Sequence, residues 1–341
     1  EAKKTNVGVE FSLFNKVRVQ ADYFHEKRQG IFLQRAGLPA IVGISTIPYV
    51  NIGETVNKGF DGTLEYSQQV GNVFLTARGN FTFNRNKLLN NDEPDWEYKY
   101  QNRIGKSFGS GGTMQPFGLV ALGLFESQEE IDNSPTQTFG EYRVGDIKYQ
   151  DINGDGQIDS QDMVAMGYTN LPEIIYGFGA TAQWKGWDFN VFFQGVDHSS
   201  FFISGSTLQS PFSSGNMERA ALQEDLWGKT WMSTNTPEQN ANASYPRLSL
   251  SGAAGSSNNQ QTSSWWLRSG DFLRLKNVEI GYSLPKNILD RSFVKSLRFY
   301  VSGNNLLTFS KFKLWDPEKG GGQGSGYPLN RVVSFGLKAN F

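Results

Sequence analysis

The chain has 341 residues, with 32 Lys and Arg against 33 Asp and Glu; a net charge of −1 excludes the basic excess of a nucleic-acid binder. No cysteine is present, which excludes a disulfide scaffold, a thiol nucleophile and any thiolate metal site. Aromatic residues make up 14% of a chain that is only 38% apolar and carries 38 glycines, a balance that favours many strands and turns over helices.

Side chains of a strand alternate between faces, and the first segments alternate between apolar and polar. Val7, Val9, Phe11 and Leu13 oppose Gly8, Glu10 and Ser12, and Val17, Val19, Ala21 and Tyr23 oppose Arg18, Gln20 and Asp22. Phe60, Gly62, Leu64 and Tyr66 follow, then Val73, Leu75, Ala77, Gly79, Phe81 and Phe83, with Phe74 the one apolar residue on the polar side of that strand. The longest apolar run, Phe117 to Phe125, is too short for a membrane helix of about 20 residues. Two more alternating segments run Tyr176 to Trp184 and Trp187 to Phe193. The next breaks phase between Leu275 and Val278, which predicts a bulge near Lys276. Phe299 and Val301 mark an eighth strand. In the ninth, Val333, Phe335, Leu337, Ala339 and Phe341 share one face.

Short and long connections alternate. Tight turns fall at Asn15-Lys16, Gly71 and Lys185-Gly186, with about a dozen residues near 285–295. Long connections fall at 28–54, 85–173, 198–270 and 309–328. A soluble sandwich has no reason to gather every long loop at one end, whereas an outer-membrane barrel has periplasmic turns and long outer loops. The expectation is therefore an all-β fold, a transmembrane antiparallel β-barrel, with the C-terminus periplasmic. The final strand, with Phe335, Leu337 and Phe341, is expected to act as the assembly signal. An odd strand count and the absence of an initiator Met imply a chain that begins inside a longer one, the rest of the barrel lying on a missing segment or a second chain.

Residues 151–162 match a twelve-residue calcium loop. Asp151, Asn153, Asp155, the Gln157 carbonyl, Asp159 and Asp162 are the candidate ligands, Gly156 sits at the sharp turn, and Ile158 is expected to pack inward. Asp162 stands where glutamate is usual. The competing reading is an Asp/Asn/Gly-rich turn without an ion. Against it, four carboxylates and an amide at this spacing repel one another without a cation, so Ca2+ or a similar hard cation in a structural role is expected.

Gly145-Asp-Ile-Lys-Tyr-Gln-Asp-Ile-Asn-Gly-Asp-Gly-Gln-Ile-Asp159 resembles a signature stretch of SusC/RagA-type TonB-dependent outer-membrane transporters. Asn57-Lys-Gly-Phe60, Val191-Phe-Phe-Gln-Gly195, Tyr245-Pro-Arg-Leu248, Phe272-Leu-Arg-Leu-Lys-Asn-Val-Glu-Ile-Gly-Tyr282 and Ser302-Gly-Asn-Asn-Leu-Leu307 extend the resemblance in family order. It implies that residues 1–341 are the C-terminal portion, nine to ten strands, of a barrel of about 22 strands whose plug is absent here. It also implies import of nutrient oligomers, glycan or peptide, driven through TonB, with a SusD-like lipoprotein as lid and membrane lipid around the wall. The alternatives are a passive barrel and a soluble calcium-binding carbohydrate-binding protein. Loop aromatics Phe201, Phe202, Trp265 and Trp266 are candidate substrate contacts, since rings stack on sugars or grip peptide side chains. No enzyme is expected: His25 and His198 have no triad partner or metal spacing, and the run Gly320 to Gly326 lacks the Lys-Ser/Thr of a phosphate loop.

Overall fold

The computed structural model describes every residue except 36, 39, 110–113, 204–225, 249–256, 291–292 and 322–326. Nine strands form one antiparallel sheet in which neighbours in sequence are neighbours in space: β1 (Ala2–Leu13), β2 (Val17–Gln34), β3 (Tyr49–Val70), β4 (Val73–Asn90), β5 (Ile174–Trp184), β6 (Trp187–Asp197), β7 (Phe272–Ser283), β8 (Ser296–Ser310) and β9 (Val332–Asn340). The first and last are edges and do not pair with each other among the described residues.

Register turns the alternation of single strands into a continuous surface. One row crosses all nine strands as Leu13, Val17, Tyr66, Ala77, Ala180, Val191, Val278, Gly303 and Val333. The adjacent row, one residue along, reads Ser12, Arg18, Glu65, Arg78, Gly179, Phe192, Asn277, Asn304 and Val332. One face is thus oily and exposed, with Val7, Phe11, Phe60, Leu64, Phe178, Phe189, Val301 and Leu337 all open to the surroundings. In water such a face would be an aggregation site; against hydrocarbon it is the expected outer face of a barrel wall. The phase break predicted near Lys276 is present, since the register skips that residue against both β6 and β8.

The hairpin β2–β3 runs further than expected. Residues up to Gln34 and from Tyr49 onward, read in the sequence as loop, continue as a ribbon. Register shifts around Gln29-Gly30 and Ile52 move the ribbon out of phase, and this hides the strand from a period-two reading. Phe32 and Tyr49 stack across it at 5.1 Å.

Among the described residues, the buried hydrophobic cluster lies outside the sheet. Leu119, Ile147, Tyr149, Ile158, Phe201, Ile203, Leu226, Tyr245, Trp266 and Phe312 form one cluster drawn from three long connections. The connections β4–β5, β6–β7 and β8–β9 therefore pack into a common crown at one end of the sheet.

Candidate functional site

The crown is organised around the short strand Ile147–Tyr149. Its Leu124 side is paired with Ala121–Leu124. Its other edge meets amide side chains in place of a strand. The Ile147 N–H donates to Asn259 Oδ1 at 2.9 Å, and the Ile147 carbonyl accepts from Gln137 Nε2 (3.0 Å) and Asn258 Nδ2 (2.9 Å). The Tyr149 N–H donates to Gln137 Oε1 at 2.7 Å. Asn258, Asn259 and Gln137 are all buried, so each of these bonds replaces one that water would otherwise make.

Asp146 lies beside them, fully buried. It accepts from Arg247 Nη2 (2.9 Å), Asn259 Nδ2 (2.8 Å) and the Arg143 N–H (2.8 Å). Burial raises the Asp146 carboxyl above its ordinary value, against the pull of Arg247 and Asn259. A second tie joins the crown to the wall: Arg274 of β7, buried to 1% exposure, donates to Asp316 at 2.6 Å and meets Glu318 at 3.3 Å. At the wall's loop end, Arg85 of β4 grips Glu173 through two bonds, and His198, stacked on Tyr168, lies 3.2 Å from the same carboxylate. His198 thus has a structural seat between strands.

The segment 151–162 forms a closed acidic turn. Asp151 accepts from the Gly154 and Gly156 N–H groups, Asp155 from Gln157, Asp159 from Gln161, and Asp162 from Ile152 and Asp159. Gly156 has φ +83°, and Ile158 is buried as expected. No group of three or more Asp, Glu or His side chains is gathered for a metal among the described residues. The carboxylates of this turn accept from backbone N–H groups, which fixes the turn's shape and leaves each carboxylate further lone pairs. Their charge reaches Tyr100, whose hydroxyl is raised by burial first and then by Asp162, Asp151 and Asp155; its O–H donates to the Gln161 carbonyl at 2.8 Å.

The four candidate substrate aromatics separate. Trp266 is fully buried and donates its indole N–H to the Asn259 carbonyl at 2.7 Å, and Phe201 is buried edge-on against Phe312 at 5.0 Å. Trp266 packs in the core of the crown, whereas Phe201, though buried, also lines a cavity together with Phe202. Trp265 lines a cavity of about 860 Å³ with Trp231, Phe125, Glu130 and Lys148. Phe202 lines one of about 530 Å³ beside Ser200 and Lys319. Phe335, Leu337 and Phe341 all lie exposed on or just beyond β9. Part of the glycine run, 322–326, lies outside the described residues. The amide network and the Arg247 and Arg274 ties escaped the residue-by-residue reading, although Asp146, Arg247 and Arg274 all fall inside the stretches that carry the family resemblance.

No protein-family model matches the chain. TonB-dependent receptor P26 of Formosa agariphila is 29% identical over 359 aligned residues, covering 98% of this chain and 34% of that protein. TonB-dependent receptor P3 of the same organism is 27% identical, covering 93% and 30%. TonB-dependent receptor SusC of Bacteroides thetaiotaomicron is 23% identical, covering 98% and 31%. The RagAB peptide transporter shares the fold, with a TM-score of 0.71 at 21% identity over 100% of this chain and 35% of that one. These proteins are receptors and a transporter, not enzymes. This chain, which spans about a third of the length of each, is a relative of TonB-dependent receptors of the SusC/RagA type.

Proposed function

We propose that the chain is part of the wall and loop crown of an outer-membrane importer of nutrient oligomers, energised through TonB. The observation that carries this is sequence likeness to TonB-dependent receptors along 98% of the chain, on a sheet with one continuous lipid-compatible face. In this reading the oily face meets hydrocarbon, the polar face lines the lumen, the crown faces outward, and the tight turns and C-terminus face the periplasm. The oligomer is a glycan or a peptide, and a SusD-like lipoprotein closes the crown. The other segments of the receptor supply the plug and the contact with TonB. The likeness to SusC and to RagAB supports the partner and the class of cargo.

The test is accumulation of labelled glycans and peptides by cells carrying the complete receptor, with and without TonB. Uptake that needs both is expected. Uptake that persists without TonB would make the protein a passive barrel and overturn the reading.

For the acidic turn we propose Ca2+ binding, in which Asp151, Asn153, Asp155, the Gln157 carbonyl, Asp159 and Asp162 turn toward the ion. The support is the spacing of these oxygens, with Gly156 at the sharp bend. Calcium at a hundredfold excess over its Kd adds about 2.7 kcal/mol to a folded state that alone binds it. Thermal unfolding of the receptor should therefore rise with calcium and fall back with a chelator; coincident curves would reject the site.

A further inference from the structure

The end of the sheet opposite the crown carries an unexplained feature. Three of its four connections take two or three residues, but β7 and β8 are joined by residues 284–295. This segment holds a helical turn, Lys286–Leu289, and in the sequence it carries three basic residues against one acidic. Leu289 packs inward while Ile288 lies exposed. Phe293 is 80% exposed and lies flat on Phe341 at 5.5 Å with 11° between the rings.

These rings belong to the oily side. Leu297 pairs with Ala339 on the apolar face, so period-two alternation puts Lys295 and Phe341 on that face one step nearer the turn. The Lys295 ammonium donates to the Phe341 carbonyl at 2.9 Å and keeps two further donors. Other turns at this end also place rings near ammoniums, one pair in contact and one close in sequence. Lys185 stands 5.5 Å over the Trp184 ring, and Phe14, 87% exposed, is followed by Lys16. Trp184, Trp187 and Tyr282 lie in one register row directly above the segment.

Rings and ammoniums fanned around the rim of an apolar band are suited to a bilayer interface, where rings sit at headgroup depth and lysines reach phosphates. The geometry points to the helical turn Lys286–Leu289 and residues 293–295, with Lys185 beside them, as a phospholipid-binding foot. In it Ile288, Phe293 and Phe341 enter the glycerol level, and Lys185, Lys286 and Lys295 hold lipid phosphates, preferring anionic lipids. Lipid is the occupant because the foot is continuous with the lipid-facing band. This inference rests on the membrane reading above.

The test uses the complete receptor reconstituted in bilayers. The chain has no cysteine, so Phe293→Cys and Val9→Cys are clean attachment points within it for a bimane fluorophore. Lipids brominated near the glycerol should quench both. Quenching at position 9 but not at 293 overturns the foot and leaves the membrane reading standing; quenching at neither overturns both. Native mass spectrometry supplies the charge arm, with phosphatidylglycerol and phosphatidylcholine as probes. Lys286→Gln with Lys295→Gln should weaken phosphatidylglycerol retention about fivefold per lysine. Retention equal to that of the unaltered receptor overturns the lysine assignment.

Discussion

Asp146 shows how one residue can hold two loops together. It is buried, and its charge is balanced by Arg247, a hundred and one residues further along the chain. Removing it by Asp146→Ala takes a buried charged partner from the Arg247 guanidinium and the Asn259 amide, a change that costs about 3–5 kcal/mol for a buried pair; chemical denaturation of the receptor should show a loss of that order. Its pH dependence has a definite sign. Burial raises the folded carboxyl above the unfolded one, so its contribution is fully present below the ordinary value of 3.8 and is lost as pH rises through the raised folded value. Relative to Asp146→Asn, the unaltered protein should therefore gain stability as pH falls from 7 toward 4, measured by parallel denaturation series. Trp266 makes the complementary case for packing: Trp266→Ala should cost about 3–5 kcal/mol without changing ligand affinity, because the ring is fully buried in the crown.

Among the elements, the strands hold register through glycine–aromatic pairs. Tyr300 lies across Gly336 of β9 and Tyr176 across Gly195 of β6; a Cβ at either glycine would meet the tyrosine ring within 2.5 Å. Gly336→Val should displace Tyr300 and loosen β9, at an overpacking cost of about 1–3 kcal/mol. Faster proteolysis of β9 in the folded receptor is the measurement; unchanged protection would show that the pair is incidental. These elements also mark where the sequence speaks and where it falls silent. The hairpins were legible because alternation and tight turns are local, and the bulge at Lys276 announced itself as a phase change. The extension of β2 and β3 past residue 28 was not, since its register shifts cancel the period. The crown was not legible either. Irregular loops have no period, and two of the three amides that replace a strand beside Ile147, Asn258 and Asn259, come from positions more than a hundred residues away. Of the candidate aromatics, sequence could name the residue type but not distinguish Trp266 in the core from Trp265 at a cavity.

At the scale of the whole molecule, two facts are joined: a sheet whose exposed face is oily across nine strands, and a core that lies in its loops. A water-soluble sheet would bury its oily face against a second layer. Here the packed layer sits at the end of the strands, and the face is left for lipid. In the function proposed above, the crown is the part that would meet cargo and lid. The most direct test is nitroxide scanning of β4 in the complete receptor in a bilayer. Labels at Leu75, Ala77 and Phe81 should be relaxed by oxygen dissolved in the lipid. Labels at Thr76, Arg78 and Asn80 should be shielded from it, giving a period of two along the strand. Equal relaxation of both sets by a water-soluble agent, with no alternation, would contradict the account.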